Sequence, residues 1–351
     1  MARIVLADDG ISFDGTTLAA RPLGGVETSV ILLARELARR GHEVLVRNKC
    51  ERPLHHEGVD WAPIGEGLPE HADLYIANRG DRLLPLMPKA RRTVFWVHNP
   101  AQYLLKWRYL SKLWRLKPAI VFLGAYHAGT YPGWAPDGGR LVIPYGIADG
   151  FLDAETDPMP PPPRAVFTSN PLRSLDWLLD LWVERIRPQV PEAELHLFSG
   201  AATYGDVGAA KAAEMEAVLE RARALAGSGV VLRDPLPKAG LIEEWRAARA
   251  MLYRGDINET FCLAVGEAQA MGVPAVVQDL GCVGERVTDD ETGTVASDAV
   301  SFAEAAVRLL TDDDVWRRQH RAALDRRSSL GWGRAARAFE ELIPRISDND
   351  P

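Results

Sequence analysis

Cysteine is scarce in this chain of 351 residues. The three cysteines, Cys50, Cys262 and Cys282, form no CxxC pair and have no histidine at a zinc-ligand spacing. A disulfide framework and a zinc module are therefore excluded. The chain also lacks an apolar run of about 18 residues, and its first residues, MARIVLADDG, read as a strand that enters a polar loop. We therefore expect a cytoplasmic protein that is neither secreted nor membrane-spanning.

Acidic side chains are missing from one long stretch. Residues 82–136 contain no Asp or Glu but nine Lys and Arg, although the whole chain has a net charge of −7. Like charges gathered on one stretch indicate an anionic partner for that face. Nucleic acid is not expected as this partner, because the remainder of the chain is strongly acidic.

The rest of the composition is that of a folded α/β protein. The hydrophobic fraction is 47%, and short apolar runs alternate with segments of helical period. The sequence DPMPPPP at residues 157–163 interrupts this pattern, which then restarts. We predict two Rossmann-like, doubly wound domains that face a central cleft. The predicted segments are a first domain at residues 1–150, a Pro-rich linker at 151–163, a second domain at 164–328 and a C-terminal helix at 329–351 that returns to the first domain.

The strongest local signal is GDINETFCLAVGEAQAMGVP at residues 255–274. It reads as a strand end, a polar loop and a helix start, and a helix N-terminus offers free amides and partial positive charge to a phosphate. Glu259 lies at the predicted helix start and Glu267 about two turns later. Either both carboxylates line one ligand, or Glu259 is a cap and Glu267 a solvated helix residue. The apolar neighbours of Glu267 favour the ligand.

This segment resembles the Glu-x7-Glu signature of family 4 glycosyltransferases of group 1 type. The family pattern E-x-F-G-x-x-x-x-E-A-x-A-x-G-x-P-V-V reads here ETFCLAVGEAQAMGVPAVV. The sequences LGGVETSVILLARELARRGHEV, WVHNP, IPYGIAD and GCVGE resemble further ordered motifs of the family over nearly the whole chain. The resemblance implies a GT-B fold and a retaining, metal-independent hexosyltransferase. Its donor, a nucleoside diphosphate sugar, is a substrate rather than a cofactor and is held mainly by the second domain, with a glycan or glycolipid acceptor on the first.

The catalytic residues that we predict are Glu259, His98 and Arg173. Glu259 is expected to touch the donor sugar, Arg173 to hold its diphosphate, and His98 to line the sugar or acceptor at a strand end. The predicted donor-binding residues are Gly24, Gly25, Lys238, Thr260, Phe261, Cys262, Leu263 and Glu267, the last of these on the ribose. No metal site is predicted, because the acidic runs 289–291 and 312–314 read as turn and helix-start carboxylates.

The sequence departs from the family pattern at several positions. The family's F-G is Phe261-Cys262, and its R-x-x-x-x-K-G aligns with Thr168, Arg173 and Ser174, so that the first cation is missing. Lys238 is either its replacement or a solvated helix residue. The pair Gly24-Gly25 is either a backbone contact to phosphate or a tight turn, and no GxGxxG occurs that a dinucleotide cofactor needs.

A basic and aromatic stretch, YLLKWRYLSKLWRLK, occupies residues 103–117. Its spacing predicts one amphipathic helix with Leu104, Trp107, Leu110 and Trp114 on one face. Such a helix suits an anionic bilayer surface, but its apolar face could instead be core, or its cations could bind an anionic acceptor. The predicted membrane or acceptor patch is Lys106, Trp107, Arg108, Lys112, Trp114 and Arg115.

These observations predict a glycosyltransferase that acts on a lipid-linked or cell-surface polysaccharide or lipopolysaccharide acceptor. It would lie peripherally on the inner face of the cell membrane. The alternatives are a nucleotide-sugar epimerase-like enzyme and a non-catalytic nucleotide-sugar-binding protein on the same fold.

Residues 330–346, with Trp332, Phe339 and Leu342 at near-helical intervals, predict the helix that returns to the first domain.

Overall fold

The computed structural model describes residues 1–200 and 211–344 of the chain. These residues divide into two compact units. Among the described residues, unit 1 comprises Met1–Leu18, Gly25–Gly146 and the C-terminal residues 332–344, and unit 2 comprises residues from Ala19–Gly24 and Ile147–Gly331. Unit 1 therefore draws on both ends of the sequence.

Unit 1 is built on an eight-stranded sheet in the order β3-β4-β2-β1-β5-β6-β7-β8. Its strands are β1 (Arg3–Asp8), β2 (Glu43–Asn48), β3 (Leu54–His56), β4 (Val59–Pro63), β5 (Leu74–Asn78), β6 (Arg92–Trp96), β7 (Ala119–Phe122) and β8 (Arg140–Val142). All neighbours pair in parallel except β3 and β4. The order of the strands reverses between β1 and β5.

Unit 2 is built on a six-stranded sheet in the order β11-β10-β9-β12-β13-β14, in which every pair is parallel. Its strands are β9 (Arg164–Phe167), β10 (Glu194–Phe198), β11 (Val230–Arg233), β12 (Ala250–Tyr253), β13 (Ala275–Gln278) and β14 (Gly293–Ala296). This is the 3-2-1-4-5-6 order of a doubly wound sheet, whose ligand crevice lies where the order reverses, here between β9 and β12.

Twelve α-helices accompany these sheets in the described part of the chain. They are α1 (Thr17–Ala20), α2 (Gly25–Arg39), α3 (Trp107–Leu116), α4 (Ala125–Gly129), α5 (Asp149–Leu152), α6 (Leu175–Leu181), α7 (Ala212–Ala224), α8 (Lys238–Arg246), α9 (Leu263–Ala270), α10 (Ala299–Thr311), α11 (Asp313–Arg326) and α12 (Trp332–Glu340). A π-helical turn, Trp182–Ile186, continues α6. None of the helices within residues 1–200 and 211–344 has the length and apolar character that crossing a bilayer requires.

The central strands are apolar because both faces of each sheet are covered. Ile4, Val5, Leu6 and Ala7 of β1 are at most 1% exposed, and all four residues of β12 are fully buried. Parallel strands that helices cover on both sides need continuous apolar runs rather than alternation. This is why short apolar runs in the sequence predict the central strands of both sheets.

The hairpin of β3 and β4 is not among the predicted strands. Its two-residue turn is Glu57-Gly58, with φ of 48° and 79°. Positive φ at both turn positions matches the twist of a two-residue hairpin. The strands are three and five residues long, which is too short for a clear period.

The C-terminal helix α12 lies in unit 1 and contacts α2. Trp332 and Phe339 are buried, and the Phe339 ring meets the Trp96 ring edge-on with centroids 5.4 Å apart. Arg40 donates to both carboxylate oxygens of Glu340, at 2.7 and 2.6 Å. The helix ends at Glu340, so Leu342 follows it, and residues 345 and 346 of the predicted helix lie outside the described residues.

The prediction of one continuous helix at residues 103–117 is wrong. A 3-10 turn, Ala101–Leu105, is followed by Lys106 in an extended conformation (φ −65°, ψ 137°), and α3 begins only at Trp107. The extended conformation of Lys106 changes the direction of the chain, so Leu104 does not lie on the same helical face as Trp107 and Trp114. Leu104 is fully buried, whereas Trp107 and Trp114 are 74% and 68% exposed. The interpretation of the apolar face as part of the core is therefore correct for Leu104 and wrong for Trp107 and Trp114.

We expect Gly146→Ala to destabilise unit 1. A Cβ at residue 146 would lie 2.4 Å from the backbone nitrogen of Trp332, where α12 begins. Relief requires a backbone shift, which costs about 1–3 kcal/mol. The measurement is the free energy of unfolding in urea, with Gly133→Ala as the control, because a Cβ at residue 133 meets no atom within 4 Å. Equal stability of the two variants would contradict the close packing of α12 at Gly146.

Candidate functional site

The reversal of strand order in unit 2 brings together residues that are far apart in the sequence. Arg173 follows β9, Tyr253 is the last residue of β12, and Glu259 lies in the loop between β12 and α9. The carboxyl ends of parallel strands meet at one edge of a sheet. Arg173 and Glu259, which are 86 residues apart, are therefore in direct contact.

Glu259 is a buried carboxylate with donors on both oxygens. Arg173 donates through Nη1 to Oε1 at 2.5 Å, and the Tyr253 hydroxyl donates to Oε2 at 2.5 Å. The residue is only 5% exposed. Burial raises the pKa of Glu259, while the Arg173 charge and the Tyr253 hydrogen bond act in the opposite direction. Because α9 begins at Leu263 without a side-chain cap, the interpretation of Glu259 as a capping residue is wrong.

Glu267 is also buried, at 4% exposure, and bonds to the ammonium group of Lys238, the first residue of α8. The interpretation of Glu267 as a solvated helix residue is therefore wrong. The Lys238 side chain is 26% exposed, and its Nζ lies 5.9 Å from the centre of the Phe151 ring. A carboxylate–cation pair thus lies at each end of the Glu-x7-Glu spacing in unit 2.

Backbone contacts fix the loop that carries Glu259. The Glu259 N–H donates to the carbonyl of Asp256 at 2.9 Å, and the Glu259 carbonyl accepts from the N–H of Cys282 at 3.3 Å. A Cβ at Gly281 would lie 2.2 Å from the Asp256 carbonyl oxygen, and Gly281 has a φ of 69°. Glycine at residue 281 therefore allows the GCVGE turn to lie against the Glu259 loop.

Two positions where the family pattern has glycine hold other residues in the left-handed region. Ser174, before α6, has a φ of 59°, and Cys262, before α9, has a φ of 62°. The backbone at both helix starts thus has the conformation that favours glycine, although the residues differ. The Ser174 hydroxyl donates to the carbonyl of Gly255 at 3.0 Å.

The remaining predicted donor-binding residues surround the start of α9 or begin α2. Thr260 and Phe261 are buried, Leu263 is partly exposed, and the Arg286 guanidinium lies 4.4 Å from the centre of the Phe261 ring. Gly25 is the first residue of α2, and Gly24 precedes it. Thr168, which stands where the family pattern has its first cation, has a buried hydroxyl oxygen with no hydrogen-bond partner among the described residues.

Unit 1 has a second polar cluster, where its own strand order reverses between β1 and β5. Arg79 donates to both oxygens of Asp8, at 2.9 and 3.0 Å, and to Glu27 of α2 at 2.9 Å. Asn78 donates to Asp8 at 2.5 Å. Asp8 is fully buried and Glu27 is 5% exposed. One guanidinium therefore links the ends of two strands to the first turn of a helix.

His98 belongs to this cluster and is 5% exposed. Its Nε2 bonds to Oδ1 of Asn78, and its Nδ1 bonds to the hydroxyl of Tyr145. Burial lowers the pKa of His98 well below its usual value, so the ring is neutral. Because Asn78 donates its own N–H to Asp8, its carbonyl accepts from Nε2–H and the Tyr145 hydroxyl donates to Nδ1.

Of the residues in the unit 1 cluster, only His98 was predicted from the sequence as a site residue. Tyr253 of unit 2 was not predicted either, and neither were Asp8, Asn78, Arg79 and Tyr145. The available signal was position, because LADD and IANR place polar residues directly after apolar strands. In the described part of the chain, no three His, Cys, Asp or Glu side chains converge as metal ligands. Asp312 caps α11 by accepting from the N–H groups of Asp314 and Val315.

We expect Cys262→Gly to be more stable than Cys262→Ala. Both changes remove the thiol, but only glycine relieves the left-handed conformation, which costs a residue with a Cβ about 1 kcal/mol or more. The measurement is the difference in free energy of unfolding between the two variants in urea. The pair Ala303→Gly and wild type serves as the control, because Ala303 lies within a regular helix, α10, where glycine should destabilise. A lower stability of Cys262→Gly than of Cys262→Ala would contradict the left-handed conformation.

The sequence of this chain is similar to those of known glycosyltransferases. Residues 162–312 match the family model "Glycosyl transferases group 1". A D-inositol 3-phosphate glycosyltransferase of Corynebacterium diphtheriae is 32% identical over 140 residues, which are 39% of this chain and 32% of the relative. The protein of the same name from Streptomyces bingchenggensis is 25% identical over 183 residues, 48% of this chain and 40% of the relative. The matches thus span about a third to two fifths of the length of these curated relatives.

Solved structures match over nearly the whole chain. Sucrose-phosphate synthase from Thermosynechococcus elongatus aligns with a TM-score of 0.73 and 16% identity, covering 97% of this chain and 98% of that one. Anabaena HepE in complex with UDP-glucose aligns with a TM-score of 0.70 and 14% identity, covering 97% and 99%. At these identities the likeness shows the fold, which is GT-B with two Rossmann-like sheets.

Proposed function

We propose that this chain, which matches the group 1 glycosyltransferase family over residues 162–312, transfers a hexose, with retention, from a nucleoside diphosphate sugar to a glycan or glycolipid. The observation that carries this proposal is the pair of buried carboxylates in unit 2, each bonded to a cation. Two anions and two cations at the crevice of a doubly wound sheet suit a ligand that has both hydroxyl groups and phosphates.

The donor contacts follow from this arrangement. The Glu267 carboxylate accepts hydrogen bonds from the ribose hydroxyls, and Glu259 accepts from the hydroxyls of the sugar. Arg173, whose side chain is 39% exposed, and Lys238 carry charges that match the diphosphate. When the donor binds, each carboxylate–cation pair is replaced by two contacts with the donor, one from the carboxylate to hydroxyl groups and one from the cation to the diphosphate. Charge stabilisation of the leaving diphosphate by arginine and lysine needs no metal ion.

Glu259 also favours the transition state of the transfer. Positive charge develops at the anomeric carbon as the bond to the diphosphate breaks, and a fixed carboxylate nearby stabilises that charge more than it stabilises the ground state. The two donors on Glu259 orient it and favour its charged form, against the effect of burial, which raises the pKa of Glu259. Both ring nitrogens of His98 are hydrogen-bonded within unit 1. His98 would therefore contact the sugar or the acceptor either through a ring carbon or after one of these two hydrogen bonds breaks.

We expect the two glutamates to separate donor affinity from turnover. Glu267→Gln should weaken nucleotide binding about tenfold, because an amide accepts fewer hydrogen bonds from a diol than a carboxylate does. Glu259→Gln should keep the nucleotide dissociation constant within about threefold and lower kcat by roughly a hundredfold. Calorimetry with UDP, GDP and their hexoses measures affinity, and donor hydrolysis or transfer in EDTA measures turnover.

The control for this pair is Glu304→Gln, an equal change on the exposed face of α10. An unchanged nucleotide affinity in Glu267→Gln would contradict the ribose contact. Nucleotide binding by a wild-type chain that neither transfers nor hydrolyses any sugar would identify a non-catalytic binding protein. Activity that appears only with added Mg²⁺ or Mn²⁺ would contradict the metal-independent mechanism.

We further propose that the acceptor is lipid-linked or at the cell surface and that α3 docks unit 1 on an anionic membrane. Support comes from the two exposed tryptophans of α3, seven residues apart and so on one face of the helix. Lys106, Arg115 and Lys117 are exposed beside them and have no carboxylate within ion-pair distance among the described residues. Lys112 differs from these cations, because it bonds to Asp81. Aromatic rings flanked by unpaired cations match the headgroup region of such a bilayer.

Liposome co-sedimentation tests the membrane proposal. Wild type should bind vesicles with anionic lipid better than neutral vesicles, and high salt should release it. Lys106→Ala/Arg115→Ala should weaken binding by about 2 kcal/mol, roughly thirtyfold, at about 1 kcal/mol for each cation. Lys49→Ala/Lys211→Ala is the control, since it removes the same charge from exposed positions elsewhere in the chain. Equal binding by the two double variants would overturn the proposal and assign the patch to acceptor recognition.

A further inference from the structure

Tyr253 is fully buried at the carboxyl end of β12, the strand at which the order of the unit 2 sheet reverses. A buried tyrosine needs a partner for its hydroxyl group. Here that partner is Oε2 of Glu259, at 2.5 Å, and the Ser169 hydroxyl is 3.5 Å away. A tyrosine at the end of a buried strand reads from sequence as a core residue. Its hydroxyl nevertheless points into the polar edge of the sheet.

The two oxygens of Glu259 therefore have different environments. Oε2 bonds to a rigid, fully buried group on a central strand. Oε1 bonds to Arg173, a long side chain that is 39% exposed. An aromatic ring packed in the core cannot move without disrupting the sheet, whereas an exposed guanidinium exchanges partners readily. The carboxylate is thus anchored on one side and exchangeable on the other.

We propose that Tyr253 is a positioning residue for sugar transfer, which fixes Oε2 of Glu259 so that Oε1 is presented to the donor. This inference rests on the proposed function and adds a residue to it. When the donor diphosphate draws Arg173 away from Oε1, the Tyr253 hydrogen bond remains and holds the carboxylate in place. The same bond favours the charged form of the carboxyl group, which is the form that stabilises the developing positive charge.

The charged and titratable groups around Glu259 are few. Arg173 faces it from the loop before α6, Tyr253 from β12, Asp256 from its own loop, Cys262 from the start of α9 and Cys282 from the turn after β13. The Arg173 charge and the hydrogen bonds of Tyr253 and Cys262 lower the pKa of Glu259, whereas burial, the largest influence, and Asp256 raise it. Loss of the Tyr253 hydroxyl leaves burial less opposed, so the pKa of Glu259 rises.

Tyr253→Phe tests this proposal, because it removes one oxygen atom and keeps the ring. We expect kcat to fall about tenfold, the donor KM to change less than threefold, and the acid limb of the pH–rate profile to move up by about one pH unit. The control is Tyr75→Phe in unit 1. Tyr75 is also fully buried, and its hydroxyl donates to the Leu83 carbonyl at 2.7 Å. Tyr75→Phe should leave the acid limb unchanged.

A double-mutant cycle with Glu259→Gln separates the positioning role of Tyr253 from a general loss of stability in Tyr253→Phe. If Tyr253 acts through Glu259, the change to phenylalanine should cost less than about twofold in kcat in the Glu259→Gln background. An equal loss in both backgrounds, or an unchanged acid limb in Tyr253→Phe, would overturn the positioning role. Absence of donor turnover in the wild-type chain would instead overturn the proposed function, so the two failures are distinguishable.

Discussion

Burial of carboxylates at the reversal point of the unit 2 sheet is the constraint on which the rest of that site depends. An ionised carboxylate in a poorly hydrated position is costly unless donors surround it. Glu259 has Arg173 and Tyr253, and Glu267 has Lys238. These partners come from three separate segments, which are the loop before α6, the end of β12 and the start of α8. The site therefore requires the complete doubly wound order and cannot be assembled from the Glu-x7-Glu segment alone.

Unit 1 meets the same constraint with a single cation. Asp8 and Glu27 are both buried, and Arg79 bonds to each of them. The neighbouring backbone leaves room for the guanidinium, because a Cβ at Gly10 would lie 1.9 Å from Nη2 of Arg79. Two carboxylates share one guanidinium, so this cluster is more acidic than the paired groups of unit 2.

The sheets and the Glu-x7-Glu spacing can be predicted from the sequence, whereas the partners of the buried charges cannot. Strand and helix periods are local, so β9 and α2 are recognisable within a dozen residues. The contact between Arg173 and Glu259 joins residues 86 positions apart, and that between Arg79 and Asp8 joins residues 71 apart. No local pattern contains such pairs. The end of the helical pattern at Lys106 is also not predictable from local spacing. It depends on tertiary packing, because Leu104 before this residue is buried in the core and Trp107 after it is exposed.

The departures from the family pattern acquire a physical meaning from the backbone. Ser174 and Cys262 both adopt the left-handed conformation that glycine would adopt without strain. Each offsets part of that strain by a contact that glycine lacks, the Ser174 hydroxyl with the Gly255 carbonyl and the Cys262 thiol with the Glu259 carboxylate. The helix starts therefore have the backbone conformation that glycine favours, while the two side chains add contacts around Glu259 that glycine could not make.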